Sequence, residues 1–147
     1  LMVFQAAAKK IFPDLSVILS SDESLEQKVV QIVEFYDRTF RKHPYVPAFV
    51  IHEMNQNPRR FREFMTSMDL RLPVAFTRQI REEISAGRMM SIEPHQFLVN
   101  IVGLCLMPVI ARNMVQSLFR LNDKEYQEML EERKKMIPKL IFSGVSP

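Results

Sequence analysis

The chain has 147 residues, of which 47% are hydrophobic and 25% charged, with a formal net charge of +3 at pH 7. This composition is typical of one globular domain with a real core, and it excludes an intrinsically disordered chain. The single cysteine excludes an internal disulfide and fits a reducing compartment, so we expect a cytoplasmic protein. Because basic and acidic residues alternate along the chain, we expect solvated helix faces rather than a nucleic-acid groove.

The start of the chain shows helical periodicity from its first residue. The apolar spacing predicts a helix over residues 1–19, which Pro13 should kink or end. A second amphipathic helix is expected to begin after Ser24, which with Gln27 forms a capping-box pattern, and to run to Lys42.

The middle of the chain is divided by turn residues. A short helix is predicted over residues 45–55, followed by a turn that places Pro58 at the first position of the next helix. That helix carries on to Gly87, a good terminating residue, but Pro73 lies inside it. We therefore expect either a kink at Pro73 or two shorter helices.

Two long helices are predicted at the end of the chain. The first covers residues 93–119, with a bend expected at Pro108, and the second begins at the Asn122–Glu125 cap and ends near Gly144. No period-two strand pattern is present, and glycine is scarce. The sequence therefore predicts an all-α bundle of about six to seven helices.

The stretch from residue 93 to 119 has an unusual composition. Between His95 and Arg112 it carries no formal charge, and its apolar residues fall on every face of the helix. Such a helix must be enclosed on more than one side, and it is too short for a membrane span, which needs about 20 apolar residues. Asn100, within it, is either a core asparagine bonded to a backbone carbonyl or a polar group in a ligand cavity.

The sequence contains no recognisable catalytic or metal-binding pattern. His52-Glu53 begins like a zinc-protease helix, but Gln56 stands where the second histidine is required. Cys105 and His95 lie about 15 Å apart along one helix, too far for a nucleophile–base pair. The histidines and the cysteine have no metal-ligand spacing. We therefore expect no enzyme activity, no cofactor and no metal.

Two segments carry a resemblance to a known family. They read HPYVPAFVIHEMNQNPRRF and IREEISAGRMMSIEPHQFLVNIVGLCLMPVIARNMVQ. The second segment contains a helix ended by glycine, then an acid-proline start and a long apolar helix. Both segments, and above all the second, resemble the C-terminal domain of TetR-family transcriptional regulators. The likeness covers essentially the whole chain in helix order and length. It implies that residues 1–19 are a helix connecting to an upstream helix-turn-helix domain that binds operator DNA, and that residues 20–147 bind an effector and dimerise.

The resemblance also implies a pocket for a small apolar or amphipathic effector, enclosed by residues 24–117. We expect it to be lined by aromatic and apolar side chains together with a few polar ones: Tyr36, Phe49, His52, Glu53, Phe61, Phe64, Phe76, Ile80, Phe97, Asn100, Leu104 and Met107.

A homodimer is the second implication. The two C-terminal helices, about residues 93–119 and 122–142, would pair with the same helices of a partner in a four-helix interface. The expected contact residues form one strip on each helix: Gly103, Leu106, Ile110, Met114, Ser117, Tyr126, Met129, Leu130 and Ile137. The alternative is a helical module that binds a protein partner and has no small-molecule pocket.

Overall fold

The computed structural model describes residues 2–147, so the predicted helical start at Leu1 lies outside the described residues. Across this range the chain is all-α, as predicted, and contains no strand. In chain order the helices are α1 Met2–Ser20, α2 Leu25–Lys42, α3 Val46–Gln56, α4 Pro58–Ser67, α5 Val74–Ser85, α6 Pro94–Ile110, α7 Arg112–Phe119 and α8 Asp123–Gly144.

Local capping chemistry determines where several of these helices begin and end. Ser24 Oγ accepts a hydrogen bond of 3.2 Å from the backbone N–H of Gln27 at the start of α2. Asn122 and Glu125 form a full capping box at the start of α8, as the sequence indicated. Gly87, just after α5, has φ +75°, a left-handed conformation that glycine adopts without a Cβ penalty.

The structure has one helix more than the expected maximum of seven because the predicted helix over 93–119 is divided. Residues 68–73 separate α4 from α5, so Pro73 marks two shorter helices rather than a kink. The predicted helix over 93–119 is broken at Ala111, and α6 and α7 meet at an angle of 69°. Pro108 remains inside α6, one turn before the bend, whereas Pro13 leaves α1 one continuous helix.

A main core lies between α2, α5, α6, α8 and the C-terminal half of α1. Its centre is fully enclosed: Val29 and Ile32 of α2, Phe76 of α5 and Phe97 of α6 are each 0% exposed. The ring of Phe97 lies 6.2 Å from that of Phe76, so α5 and α6 meet there through aromatic contact. This arrangement holds α6 against α2 and α8.

A second, smaller group of apolar residues joins the N-terminal half of α1 to α3 and α4. We call it the Phe4 cluster: Phe4, Ala8 and Phe64, with the partly buried Phe12, Phe49, Val50, Phe61, Met65 and Met68. The Phe4 ring lies 4.9 Å from Phe61 and 5.4 Å from Phe64. Helix α1 therefore contacts the main core at one end and the Phe4 cluster at the other.

A buried lysine fixes the junction between α1, α2 and α5. Lys28 is fully buried on α2. Its Nζ donates to the carbonyl of Leu19 at 2.8 Å and to Gln79 Oε1 at 2.6 Å, and Gln79 donates to the carbonyl of Glu23. Burial lowers the pKa of Lys28. These hydrogen bonds hold the α1–α2 turn against α5.

Candidate functional site

A cavity of about 340 Å³ opens between α2, α6 and α8. Its walls combine apolar side chains with a charged rim: Val33, Tyr36, Asp37, Phe40, Arg41, Pro44, Leu104, Cys105, Val109, Arg112, Tyr126, Gln127, Leu130, Arg133, Lys134 and Ile137. Ligand sites in proteins typically measure about 300–1,000 Å³ and combine apolar walls with a few placed polar groups. The cavity fits that description at the small end of the range.

The proline of α6 determines where one wall residue lies. Proline has no N–H, so Pro108 leaves the carbonyl four residues earlier, that of Leu104, without its helical donor. Arg133 of α8 supplies the missing donor through Nη2 at 2.9 Å. The hydrogen bond holds a half-buried guanidinium on the cavity wall.

A second side chain of α8 contacts α6 close to its break. The hydroxyl of Tyr126, a residue only 2% exposed, donates to the carbonyl of Pro108 at 3.1 Å. The guanidinium of Arg112, the first residue of α7, lies 4.5 Å from the centre of the Tyr126 ring. The bend between α6 and α7 is therefore held by α8.

Three charged residues at the rim form one ion-pair network between α2 and α8 together with Glu131, which lies outside the cavity lining. Asp37 pairs with Arg41 at 3.0 Å and with Lys134 at 3.3 Å. Glu131 pairs with Lys134 at 3.0 Å and also with Arg41. Two carboxylates and two cations balance one another, so this part of the rim carries no net charge.

Two cavity residues with ionisable groups are neutral at physiological pH. Burial raises the pKa of the Tyr36 phenol to about 12. Burial likewise raises the pKa of the Cys105 thiol to about 12, against an opposing effect of the nearby Arg133. The inner wall of the cavity therefore presents a phenol and a thiol rather than anions.

The structure distributes the predicted ligand-binding residues over several places. Tyr36 and Leu104 line the cavity. Leu104 also borders, with Phe97 and Asn100, a more open recess of about 390 Å³ between α6 and α8. Asn100 is exposed, so of its two predicted roles the core asparagine was wrong, and the polar group in a ligand cavity stays a prediction.

The remaining predicted ligand-binding residues lie away from the cavity. Phe76 and Ile80 belong to the main core, and His52 and Met107 are exposed. Three others, Phe49, Phe61 and Phe64, lie in the Phe4 cluster. The half-buried Glu53 is on α3, one helical turn after Phe49. The structure therefore does not gather the twelve predicted residues around one site.

The predicted interface residues divide between surface and interior. Gly103, Ile110, Met114 and Ser117 are exposed, and Leu106, Met129 and Leu130 are half-buried. Tyr126 and Ile137 instead point into their own chain, where they are 2% and 3% exposed. Their side chains contact α6 and the main core, because they lie on the side of α8 that packs against α2 and α6.

Part of the apolar surface of α6 and α7 has no covering element in this chain. We call it the α6–α7 strip: Val99, Gly103, Met107, Ile110, Met114 and Leu118. Val99 is 62% exposed and Leu118 67%. A single copy thus encloses only one side of α6, the side that carries Phe97 and Ile101.

Neither a metal centre nor a continuous membrane span is found in the part of the chain that the structure describes. No group of three His, Cys, Asp or Glu side chains is positioned to hold a metal ion between residues 2 and 147. No single helix there is both long and apolar enough to cross a bilayer. Taken together, α6 and α7 have the length and the apolar composition of a membrane span, but the two helices are bent by 69° relative to each other.

The charged residues of the cavity were missed by sequence reasoning, which assigned basic residues to solvated faces. A signal was present in the spacing of α8. Arg133 lies three residues after Leu130 and four before Ile137, so it falls on the apolar stripe of the helix. A basic residue on such a stripe indicates that its side chain is buried or half-buried.

Comparisons with protein-family models, with curated proteins and with solved structures gave no match to this chain.

Proposed function

We propose that this chain is the effector-sensing and dimerisation domain of a TetR-type transcriptional regulator. In this proposal a small amphipathic molecule occupies the cavity, and an upstream helix-turn-helix domain binds operator DNA. The observation that supports it most is the cavity between α2, α6 and α8, which combines ligand-like size with apolar walls and a charged rim.

The position of α6 links the two proposed activities. One side of this helix lines the cavity through Leu104 and Cys105, and another side carries the exposed α6–α7 strip. A ligand shifts an equilibrium only by binding one arrangement more tightly than the other. A molecule that fills the cavity would favour one packing of α6 against α8 and so bias the arrangement of a dimer formed through the strip.

Cys105 provides a test of cavity occupancy because it is the chain's single cysteine and lies on the cavity wall. We expect saturating octanoate or octanol to slow its alkylation by iodoacetamide at alkaline pH by about tenfold, since a filled cavity excludes the reagent. The rate is followed by mass spectrometry.

The matched control moves the thiol out of the cavity. In the double variant Cys105→Ala, Ser85→Cys, the thiol stands at an exposed position of α5, outside the cavity and the predicted dimer interface, and its alkylation should not respond to either molecule. Unchanged alkylation of Cys105 with both molecules would contradict the sensor proposal and favour a module without a small-molecule pocket.

The proposed homodimer is tested at the centre of the strip. Ile110→Glu places a charge on an interface that needs apolar contact, so we expect the dimer dissociation constant to rise at least about tenfold. Sedimentation velocity measures it. Val74→Glu is the control, because Val74 is an equally apolar exposed residue on α5, away from the strip.

A chain that is monomeric before substitution, or a dimer that Ile110→Glu leaves intact, would contradict this interface. An exposed strip that stays monomeric would favour the alternative of a helical module that binds a different protein. Reading the gene upstream of the codon for Leu1 tests the regulator assignment separately, since a helix-turn-helix domain is expected there.

A further inference from the structure

The charges around the cavity do not balance. Of the four basic residues on its wall, Arg41 and Lys134 are paired with Asp37 and Glu131. A third, Arg112, pairs with Asp123 at 3.3 Å and also donates to Gln116. Arg133 is the fourth. No carboxylate within residues 2–147 makes an ion pair with it, so one cationic charge on the wall is uncompensated.

The Arg133 guanidinium is held in place by a contact that leaves most of its donors free. A guanidinium has five N–H donors in a planar fork. One Nη2 donor is used by the carbonyl of Leu104, which Pro108 left without a helical partner. The fixed orientation removes part of the entropy cost of binding an anion, and the unused N–H groups match the two oxygens of a carboxylate.

The neighbouring ionisable groups do not neutralise Arg133. Tyr36 and Cys105 are protonated at neutral pH, since the pKa of each is raised to about 12 by burial. Asp37, the carboxylate in the cavity lining, is paired with Arg41 and Lys134. The apolar part of the wall includes Leu104, Val109 and Ile137. The wall therefore combines one uncompensated cation with a surface suited to hydrocarbon.

We propose that the cavity binds a small organic carboxylate, with Arg133 pairing with the carboxylate group and the apolar wall receiving the hydrocarbon body. This inference rests on the proposed effector-sensing function and narrows it to one ligand class. Neutral amphiphiles of the same length bind more weakly, because they leave the guanidinium without a charged partner in a partly desolvated site.

Calorimetric titration of the full chain with octanoate and with octanol tests the ligand class. The two probes have the same hydrocarbon length and differ in the charged group. We expect octanoate to bind at least about tenfold more tightly than octanol, in line with a charge-assisted hydrogen bond pair. In Arg133→Met the preference should disappear while octanol affinity stays within about twofold.

Arg60→Met is the matched control, since it removes the same charge at an exposed position of α4 and should keep the preference. Circular dichroism melting checks that each variant folds. If Arg133→Met does not fold because the Leu104 carbonyl loses its donor, Arg133→Lys is the variant that tests the role of Arg133. Lysine keeps the positive charge but lacks the paired N–H donors of the guanidinium, so octanoate should bind at least about threefold more weakly.

The outcomes separate this inference from the proposed function. Equal binding of octanol and octanoate by the unaltered chain, with Cys105 protected by both, overturns the carboxylate class and leaves a neutral-ligand sensor. An octanoate preference that survives in folded Arg133→Met, or that is unchanged in Arg133→Lys, overturns the role of Arg133. Binding of neither probe overturns both proposals.

Discussion

The main core and the Phe4 cluster are built differently, although α1 runs through both. The main core combines buried residues from five helices, with Phe76, Ile80, Phe97 and Ile101 all at 0% exposure. The Phe4 cluster has three buried residues, and the aromatic and methionine side chains around them are only partly covered. Local stability follows the density of buried apolar contacts. The α3–α4 region should therefore open more readily than the rest of the bundle.

Phe76→Ala should give the largest effect and tests the main core. Removing a fully enclosed ring leaves a cavity that neighbouring helices cannot fill, so we expect the free energy of unfolding to fall by about 3–5 kcal/mol. Urea denaturation followed by circular dichroism measures the loss. Tyr45→Ala is the control, because this exposed aromatic residue should change stability by less than about 0.5 kcal/mol.

Phe64→Ala tests the Phe4 cluster and should cost less, roughly 2 kcal/mol, because half-covered neighbours can collapse into the space. Hydrogen exchange should accelerate in α3 and α4 while the amides of α2 keep their protection. If the free energy of unfolding fell as much as in Phe76→Ala, and hydrogen exchange accelerated evenly across all helices, the main core and the Phe4 cluster would form one cooperative unit.

Cys105 lines the cavity, and its partly buried side chain packs against the main core. Its pKa rises from 9.0 to about 12 on folding. The folded chain therefore holds this proton more tightly than the unfolded chain, and the stability it provides is complete below pH 9.0 and is lost as pH rises towards 12. Between pH 9 and 10 we expect a loss of about 1 kcal/mol.

The measurement is the difference in unfolding free energy between the unaltered chain and Cys105→Val across that pH interval. Taking the difference cancels the titration of Lys28 and most of that of Tyr36, whose pKa is raised mainly by burial and to a smaller extent by Cys105. No pH dependence in the difference would mean that the thiol is as well solvated in the folded chain as in the unfolded one.

Much of the fold could be predicted from the sequence because its determinants are local. Caps at Ser24 and Asn122 and the left-handed Gly87 each act within a few residues, so the corresponding helix boundaries were predicted correctly. The effect of each proline was harder to predict. Pro13 and Pro108 both lie inside helices, yet only the second is followed by a break, because α8 supplies tertiary partners for the carbonyls near Pro108.

The cavity could not be located from the sequence because it depends on which side chains meet across three helices. Lys28 and Arg133 illustrate this. Each lies on the apolar stripe of its helix, which indicates burial, but the sequence does not show that one would bond Leu19 and Gln79 and the other Leu104. Those partners lie 9, 51 and 29 residues away along the chain, and only the packed bundle brings them into contact.

The double anchorage of α1 gives this helix the mechanical character of a lever. Its pivot is the end at Leu15 and Leu19, fixed in the main core. Its other end carries Phe4, which lies in the smaller cluster about 22 Å from Leu19 at 1.5 Å per residue. A swing of roughly 10° about the pivot displaces the Phe4 end by about 4 Å. This displacement is close to the distance of 4.9 Å between the centres of the Phe4 and Phe61 rings. A modest repacking of those rings therefore becomes a change in the direction in which α1 points.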